Sequence, residues 1–186
     1  MEALVNHGDG CLQEGHGMKK EKKVAFFVRK SDEALYSTCL KSLQALHLPA
    51  GYEVELFTLA AGKPYAVQAN KALALSDAKY KIYINDDMCL VQSRFFGELL
   101  AIFKDVAVGM VGAWGSQSLP VDGNVLSSAY KRGAFYVPAE DGFSEQRFGD
   151  ATGKAADVRC ILPSFFATQW DIPWDESYEK QYYAVL

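Results

Sequence analysis

Short strand-like segments alternate with helix-like segments along most of this chain, and that alternation restricts the possible folds more than any other feature. Residues 23–28 (KVAFFV) and 52–60 (YEVELFTLA) have the apolar, β-branched and aromatic composition of buried strands. A helix is predicted between them, with Ser31 as its N-cap. A second helix is predicted over residues 65–75, and Ser93 is predicted to cap a third.

Two further strands complete the pattern. Residues 79–85 (KYKIYIN) lead up to the third predicted helix, and residues 106–114 (VAVGMVGAW) follow it. The second of these runs is continuously apolar, which is typical of a strand that is covered on both faces. Strands that alternate with helices predict an α/β fold in which a mostly parallel sheet carries helices on both faces.

Polar and acidic residues follow the third strand directly: Asn85, Asp86 and Asp87. Adjacent carboxylates at the end of a buried strand are costly unless water, a cation or a ligand faces them. Ligands of such sheets bind outside the carboxyl ends of the strands. Mg²⁺ typically takes one or two carboxylates together with substrate phosphates, so the motif suits a metal-bound nucleoside diphosphate. A solvated turn is an equally good interpretation, because Asn and Asp favour turns.

Length and charge limit the other possibilities. A chain of 186 residues fits one domain with a sizeable core. The net charge of −4 gives no electrostatic reason to expect a nucleic-acid partner. No apolar run approaches the ~20 residues that a transmembrane helix needs, so no transmembrane segment is predicted.

The first 17 residues are rich in glycine and show no periodicity. They also lack the basic-then-apolar pattern of a signal peptide. We therefore predict a disordered leader over residues 1–17 and a single domain over residues 18–186. The cysteines have no metal-ligand spacing, and Cys39 and Cys89 are predicted to be buried thiols. These features predict a reduced, cytoplasmic location.

Three stretches carry a resemblance to a known family. They are residues 46–91 (LHLPAGYEVELFTLAAGKPYAVQANKALALSDAKYKIYINDDMCLV), residues 103–115 (FKDVAVGMVGAWG) and residues 165–178 (FFATQWDIPWDESY). Together they resemble GT-A nucleotide-sugar glycosyltransferases of the family 2 type. More narrowly, they are similar to the glycosyltransferase-like family associated with streptomycin biosynthesis. The resemblance implies a GT-A fold, a nucleotide-diphosphate sugar donor, a saccharide or other hydroxyl acceptor, and Mn²⁺ or Mg²⁺ as cofactor.

The resemblance also implies roles for the residues at the end of the third strand. INDD stands where the family has its DxD-like metal motif, and Asp87 matches the acidic residue that ligates the metal. Asn85 matches the position that faces the sugar nucleotide. Asp86 is implied as a supporting or ribose contact.

Further nucleotide-binding positions are implied on other elements. Phe27, Val28 and Arg29 end the first strand, where the nucleotide base lies in the family. Asn70 matches an asparagine on the helix that precedes the metal strand. The alternative for Asn70 is a polar residue on an exposed helical face. Arg132 or Lys131 is a candidate phosphate contact, although a solvated basic pair is the simpler interpretation.

The catalytic base is less directly indicated. Ala184 stands where the family has an aspartate as candidate base, and the family's last strand and late His-containing segment are absent from the sequence. Asp175 and Glu176 follow Trp174 and are the candidates for a carboxylate that deprotonates an acceptor hydroxyl in an inverting transfer. Trp174 is suited to stack on a sugar face. The alternative is a helix start, because PWDE places proline and acids in a first turn.

Three functional interpretations remain at this point. The first is an inverting, metal-dependent glycosyltransferase that serves a surface polysaccharide or a secondary metabolite. The second is a truncated or degenerate homologue that binds a nucleotide without efficient transfer. The third is a different α/β protein, such as a receiver or a phosphatase. Both of these classes need acidic residues directly after the first strand, where this chain has Arg29 and Lys30.

Overall fold

The structure of the chain, a computed structural model, describes residues 5–6, 19–122, 124–149 and 155–177. The strands are β1 (Val5–Asn6), β2 (Lys20–Lys30), β3 (Glu53–Ala60), β4 (Ala78–Asn85), β5 (Met110–Gly112), β6 (Trp114–Ser116), β7 (Lys131–Ala139), β8 (Gly142–Phe148), β9 (Cys160–Ile161) and β10 (Phe165–Thr168). The helices are α1 (Glu33–Gln44), α2 (Tyr65–Leu75) and α3 (Phe95–Ile102), and a 3-10 turn covers Val125–Ser127.

Six strands form the main sheet, in the order β1-β3-β2-β4-β10-β5. β2 pairs in parallel with both β3 and β4. Because β4 lies between β2 and β10, it is inside the sheet, as predicted. β10 runs antiparallel to both of its neighbours, β4 and β5. The α/β class is therefore confirmed, and the sheet is mixed.

Side chains of β2 point alternately to the two faces of this sheet, and each face is covered by helices. Val24 and Phe26 belong to a core that includes residues of α1 and α3. Phe27, on the opposite face, belongs to a core that includes residues of α2. α2 turns small side chains toward the sheet, among them Ala69 and Ala72, which lets the helix lie close to the strands. Helices on both faces are confirmed.

The helix caps differ from those predicted. Asp32, not Ser31, caps α1, because its side chain accepts hydrogen bonds from the backbone N–H of Ala34 and Leu35. Ser31 is engaged instead with Asp86. α3 begins after Arg94 and has no side-chain cap, so the prediction for Ser93 is also wrong.

The apolar run at 106–114 does not form one covered strand. Val106 is 76% exposed, and the run contributes β5 to the main sheet and the first residue of β6 to another. Glycines explain how this run packs. A Cβ at Gly112 would overlap the side chain of Ile161, so the backbone approaches β9 more closely than a larger residue allows. Apolar composition alone did not show where the chain would change sheets.

The second sheet has four antiparallel strands in the order β8-β7-β6-β9. Trp114 forms its small core together with Cys160, and the rings of Phe135 and Phe148 pack on the Trp114 ring at 5.8 and 5.4 Å. Gly133 has φ +119°, and a Cβ there would overlap the backbone and side chain of Trp114. Only glycine suits that position.

Several predictions concern the remainder of the chain. Of the predicted leader, the structure describes only β1, which pairs in parallel with β3, and the other residues of 1–17 lie outside the described residues. None of the helices described is long and apolar enough to cross a membrane. Cys39 is a buried free thiol as predicted, whereas Cys89 is exposed.

An ion pair between a buried lysine and an exposed aspartate connects the middle of β4 to the segment that follows β10. Lys81 is 1% exposed, and its Nζ pairs with Asp171 and donates to the carbonyl of Lys79 at 3.1 Å. Lys19 contacts the other oxygen of Asp171 at 3.0 Å. Burial lowers the pKa of Lys81 in spite of its partner. Burial alone would raise the pKa of Asp171, but its hydrogen bonds to Lys81 and Lys19 lower it.

Breaking this pair should destabilise the fold. We expect Asp171→Asn to lower the free energy of unfolding by about 1–3 kcal/mol, because it leaves a buried ammonium without its carboxylate. Adding Lys81→Met should restore most of the loss, since an apolar side chain of similar length removes the buried charge. Urea unfolding measures both effects. Asp141→Asn, at the exposed β7–β8 turn, is the matched control, and equal stability of the two Asp→Asn variants would contradict this role.

Candidate functional site

The carboxyl ends of β2 and β4 are joined by the Asp86 carboxylate, which is 3% exposed. Its Oδ2 accepts hydrogen bonds from the backbone N–H of Ser31 at 2.5 Å and of Asp32 at 2.8 Å, and its Oδ1 accepts one from Ser31 Oγ at 2.8 Å. Burial alone would raise the pKa of Asp86, but these bonds hold it below the ordinary value. The group is therefore an ionised anchor for the loop that begins α1. Its predicted ribose contact stays a prediction.

A turn after β4 separates the two aspartates. The backbone N–H of Met88 donates to the carbonyl of Asn85 at 3.1 Å, which directs Asp86 inward and leaves Asp87 exposed. Within the described part of the chain, the Asp87 carboxylate has no hydrogen bond or ion pair. Asn85 is half-buried, and its backbone N–H donates to Ser164 at 3.0 Å. Asp87 is thus the member of the INDD motif whose oxygens are open to a ligand.

A cleft of about 1430 Å³ lies between the end of β4 and the second sheet. Asp87 lines it from β4, and Trp174 and Asp175 line it from the segment after β10. Arginines line it from the second sheet. Of the predicted site residues, the fold therefore brings Asp86, Asp87 and Asp175 to one cleft, although about ninety residues separate the two aspartates at 86 and 87 from Asp175.

The positions predicted for the nucleotide base on β2 are mainly core residues. Phe27 and Val28 are fully buried, and the Phe27 ring stacks on those of Phe57 and Tyr83 at centroid distances of 5.1 and 4.6 Å. Neither side chain offers exposed surface to a base. Arg29 is half-buried at the end of β2, and its guanidinium lies 5.9 Å from the centre of the Tyr65 ring.

Asn70 holds the segment that carries the candidate base. Its Nδ2 donates to the carbonyl of Trp174 and to Oε1 of Glu176, both at 2.9 Å, and its Oδ1 accepts from the Trp174 backbone N–H at 2.8 Å. An amide pairs in this way with both backbone groups of one residue because it carries a donor and an acceptor side by side. Asn70 therefore connects α2 with a segment more than a hundred residues away, a role that spacing along α2 did not reveal.

Aromatic packing completes this attachment. The half-buried Trp174 ring lies edge-on to Tyr65 at 4.9 Å and to Tyr83 at 5.6 Å, and 5.7 Å from Phe166. These three rings belong to α2, β4 and β10. Trp174 is thereby positioned from both its backbone and its side chain, and it presents the next residue, Asp175, to the cleft.

The two candidate bases have different surroundings. Asp175 is exposed, and its Oδ1 accepts hydrogen bonds from Ser177 N–H at 2.9 Å and Ser177 Oγ at 2.6 Å, which lower its pKa. This is the bonding pattern of a residue that caps a turn, as the helix-start interpretation predicts. Glu176 is bound by Asn70 and does not line the cleft. Ala184 lies outside the described residues.

The acidic residues that the structure describes do not form a metal site of their own. In the described ranges, no three His, Cys, Asp or Glu side chains come together in a way that could hold a metal ion. A single exposed carboxylate such as Asp87 suits an ion that takes its other ligands from water and from substrate phosphates. The residues present therefore fit a metal that arrives with a phosphorylated ligand.

Residues 25–186 match the model of a protein family described as "Glycosyltransferase like family". The matched range covers most of the chain and includes Asp87, Asn70 and Asp175. No curated protein matches the chain.

Removing the Asn70 amide should release the segment around Trp174. We expect Asn70→Ala to speed hydrogen exchange of the Trp174 backbone N–H, because its acceptor is lost, and to lower stability by about 1–2 kcal/mol. Mass spectrometry of a peptide that spans residues 170–177 measures the exchange. Gln92→Ala removes an exposed amide that bonds to Glu98 and is the matched control. Unchanged exchange in Asn70→Ala would show that the aromatic contacts alone hold the segment.

Proposed function

This chain belongs to the glycosyltransferase-like family, and from that premise we propose that it transfers a sugar from a nucleotide-diphosphate sugar to an acceptor hydroxyl, with inversion and with a divalent metal. We also propose that it belongs to the narrower glycosyltransferase-like family associated with streptomycin biosynthesis. One observation carries it: Asp87 and Asp175, which come from distant parts of the sequence, line the same cleft. A metal-assisted transfer by direct displacement needs one carboxylate at the donor diphosphate and another at the acceptor hydroxyl.

The donor side of the proposed site is Asp87. Its carboxylate is exposed at the carboxyl end of a strand that lies inside the sheet, where ligands of α/β sheets bind. Asp87 would hold Mn²⁺ or Mg²⁺ together with the donor phosphates. A bound ion supplies neutralisation of the negative charge that develops on the departing diphosphate. Asn85 and Arg29 are paired at the ends of the two adjacent strands β4 and β2, and in this proposal they contact the nucleotide.

The acceptor side of the proposed site is Asp175. In an inverting transfer the acceptor oxygen attacks the anomeric carbon as the bond to the diphosphate breaks, and the hydroxyl proton passes to a carboxylate. The hydrogen bonds from Ser177 that lower the Asp175 pKa keep this carboxylate in its ionised, proton-accepting form at neutral pH. Asp175 is preferred over Glu176 because Glu176 is held by Asn70 outside the cleft.

A second candidate is a homologue that binds a nucleotide sugar without efficient transfer. The surroundings of Asp175 favour it, since the carboxylate is exposed and hydrogen-bonded rather than enclosed in an apolar pocket. A carboxylate with a lowered pKa is a weaker base than one whose pKa is raised toward neutrality. The two candidates share the donor site and differ only in turnover.

The donor site can be tested by calorimetry. We expect MnCl₂ to increase the affinity of the chain for UDP or GDP, and we expect Asp87→Ala to abolish that increase because the ion loses its protein carboxylate. Asp141→Ala removes an exposed carboxylate outside the cleft and should behave like the unmodified chain. Equal nucleotide affinity of the unmodified chain with and without metal would remove Asp87 from this role.

The base can be tested by turnover with a panel of UDP- and GDP-hexoses. Asp175→Asn should reduce turnover by roughly 10²–10⁴-fold, equivalent to about 3–5 kcal/mol in the barrier, and leave nucleotide affinity unchanged. Glu176→Gln is the matched control and should retain more turnover. A loss confined to Glu176→Gln would reverse the assignment. Binding of nucleotide by the unmodified chain without measurable turnover would favour the second candidate.

A further inference from the structure

The second sheet carries two arginines side by side on one face. Arg147 in β8 pairs directly with Ala134 in β7, and Arg132 lies two residues before Ala134. Directly paired residues share a face of a sheet, as do alternate residues of one strand. Arg132 and Arg147 are therefore diagonal neighbours. Lys131 points to the opposite face, where its Nζ lies 5.1 Å from the centre of the Phe148 ring.

A third arginine lines the same cleft. Arg132 pairs with Gly115 in β6, and Gly115 pairs in turn with Ile161 in β9. Arg159 directly precedes β9, and its backbone N–H donates to the carbonyl of Ser116 at 2.8 Å, which holds it beside the end of β6. A Cβ at Gly115 would overlap the carbonyl oxygen of Cys160, so β6 and β9 approach each other closely there. All three arginines line the cleft that also holds Asp87 and Asp175. We call Arg132, Arg147 and Arg159 the arginine wall.

The arginine wall is only partly neutralised by the protein. Arg147 pairs with Glu145 on its own strand. In the described part of the chain, no carboxylate lies within ion-pair distance of Arg132 or Arg159. The Arg132 side chain packs against Gly149, where a Cβ would overlap its guanidinium, and its Nη1 donates to the carbonyl of Lys131 at 3.2 Å. A guanidinium held in place in this way loses little freedom when it binds an anion.

Charges of opposite sign are separated across the cleft. Asp87 and Asp175 lie on the side of the main sheet, and the arginine wall lies on the side of the second sheet. Glu98 and Asp157 also line the cleft, and Asp157, two residues before Arg159, offsets part of its charge. A ligand that spans the cleft is therefore best matched if it has an anionic group at the arginine wall and a neutral hydroxyl near Asp175.

We propose that the arginine wall is an acceptor subsite and that the acceptor carries a phosphate or carboxylate group. This inference rests on the proposed function, because it places the acceptor hydroxyl at Asp175. The donor diphosphate is assigned to the metal at Asp87 on the other side of the cleft, so the arginines are left for the acceptor. Arginine suits this task because its planar fork binds phosphate and carboxylate with two parallel hydrogen bonds.

The first arm of the test titrates inorganic phosphate into the full chain by calorimetry, at low salt and with EDTA. Arg132→Gln and Arg159→Gln should each weaken binding by about tenfold or more, because each removes charge-assisted hydrogen bonds. Arg94→Gln removes an exposed arginine of the α3 N-terminus outside the cleft and should leave the affinity unchanged. Arg159 is also exposed, so its variant tests the proposal even if Arg132→Gln fails to fold. Equal phosphate affinity in all three variants, or no phosphate binding, would overturn the proposal.

The second arm separates acceptor from donor. Phosphate should still bind when the chain is saturated with MgCl₂ and whichever of UDP and GDP binds more tightly. Displacement by the nucleotide would assign the arginine wall to the donor diphosphate and overturn the proposal. Asp87→Asn should leave phosphate affinity unchanged. Phosphate binding that depends on Arg132 and Arg159, in an unmodified chain that binds neither UDP nor GDP, would refute only the proposed function. A parallel titration with D-glucuronate distinguishes a carboxylate from a phosphate as the preferred group.

Discussion

The buried carboxylate of Asp86 is the interaction on which the cleft depends. It accepts two backbone hydrogen bonds and one hydroxyl hydrogen bond from Ser31 and Asp32, and so joins the end of β4 to the start of α1. Because a buried carboxylate is costly unless its oxygens are satisfied, the turn after β4 has little freedom to move away. That turn directs Asp87 outward. One aspartate of the pair therefore stabilises the fold so that the other is available to a ligand.

The opposite side of the cleft is positioned by a different kind of contact. The Asn70 amide binds both the backbone N–H and the backbone carbonyl of Trp174. Rings from α2, β4 and β10 surround the indole. Asp175 follows directly and faces the cleft. Because these partners come from separate elements, a change in any one of them alters where Asp175 lies. Sites whose groups rest on packed neighbours in this way hold their geometry better than sites on isolated loops.

Local patterns predicted much of the secondary structure. α2 covers Tyr65–Leu75, the range predicted, and β4 carries the acidic motif at its carboxyl end. The errors arose where a distant residue decided the outcome. Ser31 and Asp32 are both good N-caps, and only the approach of Asp86 engages Ser31 elsewhere. The run at 106–114 is uniformly apolar, and its division between two sheets depends on contacts with β10 and with β7 and β9.

The sequence by itself determined the α/β class, the position of the acidic motif at a strand end and the family resemblance, because each is recorded in residues close together along the chain. The tertiary structure alone decided which aspartate is buried, what Asn70 binds and that Arg132, Arg147 and Arg159 line one cleft. These depend on pairing register and on contacts between residues tens to more than a hundred positions apart. Spacing along a strand assigns a residue to one of two faces, but only the pairing of strands shows what else that face carries.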